Sequence, residues 1–538
     1  YTNLSPAEQT TLTTGSPGTG TQLVNYLRGD KSNEGTDFRA RTHILGDIVD
    51  SSPVLVQNAL SLSYSESNNP GYTAFEASVA NRQPVVYVGG NDGMLHAFDA
   101  DFTQPTTAAP VTGGGSELFA DVPSLLFNGP TGTPEVNGLA ALANLNGVST
   151  QSYNHHFYVD STPQVGDVDF TYTGDGSTAP ATSSSTASWH SVLVGGLGKG
   201  GMGYYALDIT NVPTAVATTG SATAETSEAA NVLWEFTDPD MGYSYGAPLI
   251  IKTRKYGWVA VMTSGYDNTG SGQDGHGVLY IVNIKTGALL QKIDTGVGSK
   301  SNPAGLAQAT GFTQDVSDGT VDQVYAGDLL GNVWRFDLTE GVLDASGNPT
   351  GNYPAPTLLA TLEDSAGNPQ PITTAPRIEE GIDSTGLNTL RWVFVGTGQF
   401  LDISNLTTTQ QQTMYALRDG TGSTPSTTDL PLTRSVLAPV TNLLNGVNIA
   451  DSAPGWYYDL TGTAGGTTGG TERIVVNPDA AAGVPIIAWT TLTPSSDPCT
   501  LQGAVYATSF SGQSQLLDNT GNAVPYLTTT SASTSVQI

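Results

Sequence analysis

The chain has 538 residues, 48 acidic against 18 basic, and a net charge of −30. So few cations argue against nucleic-acid binding by phosphate neutralisation and against adsorption to an anionic membrane surface. Only 12% of residues are charged and Gly is abundant, a composition suited to an exported, surface-exposed protein. From the N-terminus, the segment Leu4 to Leu27 is the first helix candidate. Ser51-Ser-Pro53 then precedes Val85-Val-Tyr-Val-Gly-Gly-Asn-Asp-Gly-Met-Leu-His-Ala-Phe-Asp99. Here a β-branched run stops at Gly, turns through residues that tolerate φ > 0, and returns as a partner strand. Leu139 to Leu145 is the second helix candidate.

The same pattern recurs. Ser161-Thr-Pro163 leads to the hairpin Ser191–Gly196 and Gly203–Asp208, closed by Val232–Phe236. Gly246-Ala-Pro248 leads to Trp258–Asn283, closed by Leu289–Ile293. Ser301-Asn-Pro303 leads to Gln323–Asp337, and Thr374-Ala-Pro376 to Trp392–Arg418. Ile486–Phe510 is the sixth copy. Proline lacks an N–H and belongs at a strand's first residue or on an edge, so the small-x-Pro element marks the start of an innermost strand. A lone hairpin is barely stable in water, and copies stacked around an axis bury one another. The reading is all-β, a β-propeller with six detectable blade cores and long loop insertions; a β-sandwich or two unrelated β-domains are the alternatives. Residues 1–44 are expected to form a lead-in packed on a propeller of residues 45–538. The Ser/Thr/Ala-rich stretches 171–187, 212–231, 421–429 and 461–471 are expected to be mobile surface loops, where partners also bind.

Asp315-Val-Ser-Asp-Gly-Thr-Val-Asp322 is the strongest metal candidate. Alternating oxygen side chains, a Gly for a sharp turn and a terminal carboxylate suit Ca²⁺. The usual spacing is one residue longer, because Asp318 falls at position 4; an acidic β-turn is the alternative reading. Asp267 to Gly275 matches no such loop and reads as a flexible Gly-rich turn. The six histidines show no i, i+4 zinc pair and no CxxC exists, so they read as packing or surface residues. Gly195 to Gly201 lacks the GK[ST] ending and joins two strands, which excludes a phosphate loop. Arg28-Gly29-Asp30 spells an integrin-recognition tripeptide in a structured local context. Cys499 is the only cysteine, a buried small hydrophobe or the partner of a cysteine outside this chain. No apolar run reaches membrane-spanning length. The start at Tyr-Thr-Asn, without Met or signal peptide, points to a fragment or mature domain with its targeting information upstream. The unpaired carboxylates point to work in an acidic medium, where many would be protonated.

Tyr26–Asp30, Leu45–Val54, Val88–Phe98, Gly195–Asp208, Gly265-Tyr266, Tyr325–Trp334 and Thr490–Cys499 together resemble the C-terminal propeller domain of the type IV pilus tip-associated adhesin and biogenesis family (PilC/PilY type). The resemblance implies a modified seven-bladed propeller of the quinoprotein-dehydrogenase type. It also implies a non-enzymatic role in pilus extension against retraction, in surface adhesion and in twitching motility. The implied setting is the pilus tip, cell surface or outer membrane, with minor pilins and a host or abiotic surface as partners. A family Ca²⁺ loop maps onto Asp315, Ser317, Asp318, the Thr320 carbonyl and Asp322. Asp318, Thr320 and Asp322 align from the C-terminal end; Asp315 and Ser317 align if the missing residue lies between Ser317 and Asp318. The competing function is a quinoprotein dehydrogenase holding pyrroloquinoline quinone, whose adjacent Cys-Cys disulfide one cysteine cannot form. A third is an outer-membrane assembly scaffold.

Overall fold

The computed structural model describes residues 1–61, 64–102, 114–144, 153–174, 186–212, 229–316, 318–339, 351–460, 471–481, 483–494 and 502–529. Cys499, Ser317 and most of the low-complexity stretches at 171–187, 212–231 and 461–471 lie outside them. Six sheets of four or five strands are found among the described residues, one for each hairpin core read from the sequence. A seventh of that size is not among them.

Each sheet is built alike. Its first strand is an edge, its second and third are the repeated hairpin, and a fourth pairs with the third; in two sheets a short fifth strand lies outside the fourth. The first strands Val54–Val56, Gln164–Asp169, Leu249–Thr253 and Arg377–Ile382 begin directly after Pro53, Pro163, Pro248 and Pro376. The missing proline N–H therefore costs no ladder bond. Pro303 departs from this pattern, since its strand starts only at Ala309. Val85 pairs with Asp99 and Gln323 with Asp337, so these two hairpins share one register. In three sheets the third strand meets the fourth through an irregularity, at Ala97/Phe98 and Ala206/Leu207 just before Asp99 and Asp208, and two residues earlier in its strand at Val333/Trp334. Such bulges add twist to a strand pair.

The hairpin strands are buried on both faces: Val324, Tyr325, Ala326, Val333 and Phe336 are almost wholly covered. Covering each of the larger apolar side chains contributes about 1.5–3 kcal/mol.

The chain divides into two units. One comprises residues 1–273, 279–292 and 317–320, the other 274–278, 293–316 and 321–538. In the first, two helices, Pro6–Thr13 and Gly20–Leu27, start on capping boxes at Ser5 and Thr19. Leu12, Leu23, Tyr26 and Phe38 join one buried cluster with Tyr87, Leu95, Leu139 and Tyr205. The helix expected over 139–145 is a single 3₁₀ stretch, Leu139–Ala143. Gly138 and Asn144 on either side are extended, and the bonds close i→i+3 turns, Ala141 N to the Gly138 carbonyl and Asn144 N to the Ala141 carbonyl. A helix not foreseen, Tyr72–Val79, buries Tyr72, Phe75 and Val79. Their i, i+3, i+7 spacing is the signal that could have found it. Arg28 caps the second helix and Gly29 follows with φ +100°, so this tripeptide is a helix stop. Gly200 belongs to a close backbone approach: a Cβ there would stand 1.9 Å from the Tyr158 carbonyl oxygen.

In the second unit, Arg391, Tyr325, Asp419 and Arg335 form a buried polar chain. Ser426 donates its N–H to Asp419 Oδ1 at 2.9 Å, and its carbonyl accepts from Arg335 Nη2 at 2.9 Å. The stretch 421–429, expected to be mobile, is therefore pinned at Ser426.

Candidate functional site

The repeated turns carry the first answer about the repeated residues. In Asp328-Leu-Leu-Gly-Asn332, the Asp328 carboxylate accepts from Leu330 N, Asn332 N, Asn332 Nδ2 and Trp334 Nε1 at 2.9 Å each. Burial raises its pKa against these four donors. Gly331 supplies φ +80° where a Cβ would come within 2.4 Å of the Leu362 carbonyl oxygen. Asp364-Ser-Ala-Gly-Asn368 and Asp518-Asn-Thr-Gly-Asn522 repeat the device, with Oδ1 taking the N–H groups two and four residues on. These carboxylates organise turns. Replacing Asp328 by Ala strands several buried donors, and a loss of roughly 2–3 kcal/mol is expected in urea unfolding followed by tryptophan fluorescence. An unchanged midpoint would show that water satisfies those donors.

The first hairpin uses its turn differently. Asp92 Oδ2 accepts from Gly46 N at 2.7 Å, and Asn91 Nδ2 donates to Asp47 at 3.2 Å while its Oδ1 accepts from Tyr158 N. His96 is buried between Asp92 (Nε2 to Oδ1, 3.0 Å) and Glu117 (Nδ1 to Oε1, 2.6 Å). Burial opposes its charge, but the two carboxylates outweigh that and hold the imidazole up to about 9. Sequence reasoning treated His96 as ordinary packing. The i, i+4 pair Asp92–His96 was the available signal.

The residues proposed for Ca²⁺ occupy the connection between the strands Ala309–Phe312 and Gln323–Gly327. In the first unit, Thr320 N donates to Asp318 Oδ1 at 2.7 Å, closing a tight Asx turn. Asp318 Oδ2 is buried and makes no hydrogen bond, with Arg254 Nη2 at 3.8 Å. The Asp318 carbonyl accepts from Lys252 Nζ at 3.2 Å, an ammonium also bonded to Asn68 O and Asn69 Oδ1. In the second unit, Asp322 is buried; its Oδ2 accepts from Gln314 N at 2.8 Å and its N–H donates to the Phe312 carbonyl. Asp315 is exposed. An orphaned buried carboxylate oxygen fits a hard cation, since such an oxygen carries a desolvation cost until something positive meets it. Arg254 supplies part of that charge from the protein itself.

Residues 45–441 match the family model described as the PilY1 beta-propeller domain. The chain belongs to the PilY1 β-propeller family. It is 33% identical, over 90% of its length, to a type IV pilus biogenesis factor PilY1 homolog of Xylella fastidiosa. It is 31% identical over 89% of its length to the type IV pilus biogenesis factor PilY1 of Pseudomonas aeruginosa strain PAK. It spans 34% and 39% of those two proteins. The crystal structure of the Pseudomonas aeruginosa PilY1 C-terminal domain superposes with a TM-score of 0.58 at 26% identity, covering 85% of this chain and 86% of that one. The propeller expected from the hairpin repeat is the fold of this family. Among the described residues, no helix is long and apolar enough to cross a membrane.

Proposed function

We propose that this chain is the propeller part of a type IV pilus biogenesis factor, non-enzymatic, exported, and acting at the pilus tip or cell surface in adhesion and twitching motility. The observation that carries this reading is identity of 31–33% spread over about nine-tenths of the chain, to proteins named as pilus biogenesis factors. Minor pilins are the proposed partners at the tip. The Asp315–Asp322 loop is the proposed Ca²⁺ regulator. It is supported by the buried, hydrogen-bond-free Asp318 Oδ2, with Asp315, Ser317, the Thr320 carbonyl and Asp322 as the further donors.

The test is made in the organism that encodes the chain. In-frame deletion of residues 45–538 is expected to abolish surface pili and twitching zones, and piliation unchanged by the deletion would sink the proposal. Asp318→Ala and Asp322→Ala are expected to leave pili on the surface and to remove the response of twitching to added Ca²⁺ against chelator. A retained Ca²⁺ response in both variants would remove the loop from the reading and leave the biogenesis role standing.

A further inference from the structure

Asp267 to Gly275, which reads as a plain Gly-rich turn, ends beside a mixed nitrogen–oxygen donor set. Asp274, His276 and Asp294 place one ligand atom each within 4.8 Å of one another. His276 Nδ1 lies 3.4 Å from Asp274 Oδ2, and 3.2 and 3.1 Å from the two Asp294 oxygens. All three residues belong to the second unit.

The backbone fixes this arrangement. His276 N donates to Asp274 Oδ1 at 2.9 Å, and Gly296 N donates to Asp294 Oδ1 at 2.7 Å. Gly275 between the first two residues takes φ +82°, and a Cβ there would stand 2.3 Å from the Ser299 carbonyl oxygen. Its own carbonyl accepts from Ala304 N at 2.8 Å. Asp274 and His276 are thus held at two ends of a locked glycine.

Two carboxylates converge here on one ring nitrogen. Where a histidine of this chain pairs with one carboxylate through Nδ1, the contact is short: 2.6 Å for His96 to Glu117 and 2.7 Å for His190 to Asp208. Those are charge-assisted lengths. At His276 two carboxylates share one ring nitrogen, and each stays at 3.1 Å or beyond. One N–H cannot serve both well. One bound cation can: metal–ligand bonds of ~2.0–2.1 Å put neighbouring donors of a tetrahedral site roughly 3.3 Å apart and those of an octahedral one roughly 2.9 Å apart. The observed separations fall in that range.

We propose that Asp274, His276 and Asp294 form a binding site for a divalent transition cation of the Zn²⁺ class. The imidazole nitrogen selects this class over Ca²⁺ and Mg²⁺, which prefer all-oxygen shells. The side chains are 27–47% exposed, so the remaining coordination positions open to solvent and take water or a donor from a partner. The ion clips the residues at the start of strand His276–Asn283 to Asp294 in strand Leu289–Gly298, an edge strand of its sheet.

The experiment titrates the intact, chelator-stripped chain with Zn²⁺ by calorimetry and with Co²⁺ by visible absorption. One saturable site is expected. His276→Gln and Asp294→Asn, both surface changes checked for fold by circular dichroism, are expected to weaken it at least tenfold, whereas His155→Gln leaves it unchanged. A tenfold excess of Ca²⁺ is expected not to displace Co²⁺. Absence of saturable binding, or binding unaltered by His276→Gln, overturns the site. Displacement of Co²⁺ by Ca²⁺ overturns the class of ion.

Discussion

Asp419→Ala is expected to destabilise the second unit by about 3–5 kcal/mol, the range for removing one partner of a buried ion pair. Asp419 is wholly buried and is the acceptor for three groups: Arg335 Nη1, the Tyr325 hydroxyl at 2.6 Å and Ser426 N at 2.9 Å. Arg391 lies one step further along, donating to the Tyr325 hydroxyl at 2.9 Å, to Gln323 Oε1 and to the Gly422 carbonyl. Its guanidinium also stacks on Phe312 at 3.9 Å. Truncation at Asp419 leaves the Arg335 charge in the interior, which costs more than the lost attraction alone. Tyr325→Phe, which removes one hydroxyl bonded to two charged groups but no charge, is expected to cost less, about 1.5–3 kcal/mol. Denaturant unfolding measures both values. Because Ser426 is held through the same carboxylate, Asp419→Ala is also expected to open residues 421–429 to limited proteolysis. Equal costs for Asp419→Ala and Tyr325→Phe would contradict the assignment of the charge as the dominant contribution.

That network shows where sequence reading reaches its limit. Hairpins such as Val85–Asp99 and Gln323–Asp337 were legible because each is local: two strands, one turn, one register, all within fifteen residues. The prolines marked first strands for the same reason. Arg335 and Asp419 are 84 positions apart, and nothing near either one in sequence announces the other. The stretch 421–429 was misread because its composition resembles a free loop, while two backbone groups of Ser426 tie it to buried side chains. The Asp-x-x-Gly-Asn turn was within reach, since both its repeat and its glycine are local. At Asp328 the aromatic run Val333 to Phe336 after it carries the stronger signal. For the proposed Ca²⁺ loop, spacing revealed the donor types but not Lys252 and Arg254, more than 60 residues away from Asp318, of which the first binds its carbonyl and the second faces its carboxylate.

The largest pH effect expected is a fall in stability as the medium passes from about pH 5 to pH 9, and it arises in the first unit. Burial, with Glu235 nearby, pushes the Asp121 carboxyl up to about 7. Burial and the facing Asp50 push Asp160 up to about 7 as well, and Asp160 Oδ2 has no hydrogen-bond partner. Between the unfolded value near 4 and the folded value, the native chain holds protons that the unfolded chain has lost, so the stability change with pH is negative across that window. The ideal limit is roughly 4 kcal/mol per group, and entry of water around a half-buried carboxylate such as Asp121 brings the expected loss nearer to 1–2 kcal/mol each. His96 acts in the same sense over a higher window. Its folded value of about 9 lies above the unfolded one, so its contribution is complete below about pH 6.5 and is lost as pH rises through 9. The opposite limb comes from carboxylates held low, among them Asp208 and Asp238 through His190 and Lys292, whose contribution is lost only as pH falls below the ordinary Asp range. The two limbs place the maximum between about pH 4 and 6, which is the behaviour expected of a chain suited to an acidic medium. Urea unfolding across this range tests it, with Asp160→Asn expected to recover stability at pH 8 and to change little at pH 5. A maximum at or above pH 7, or an Asp160→Asn variant no more stable than the parent at pH 8, would show that Asp121 and Asp160 ionise in the folded chain without cost.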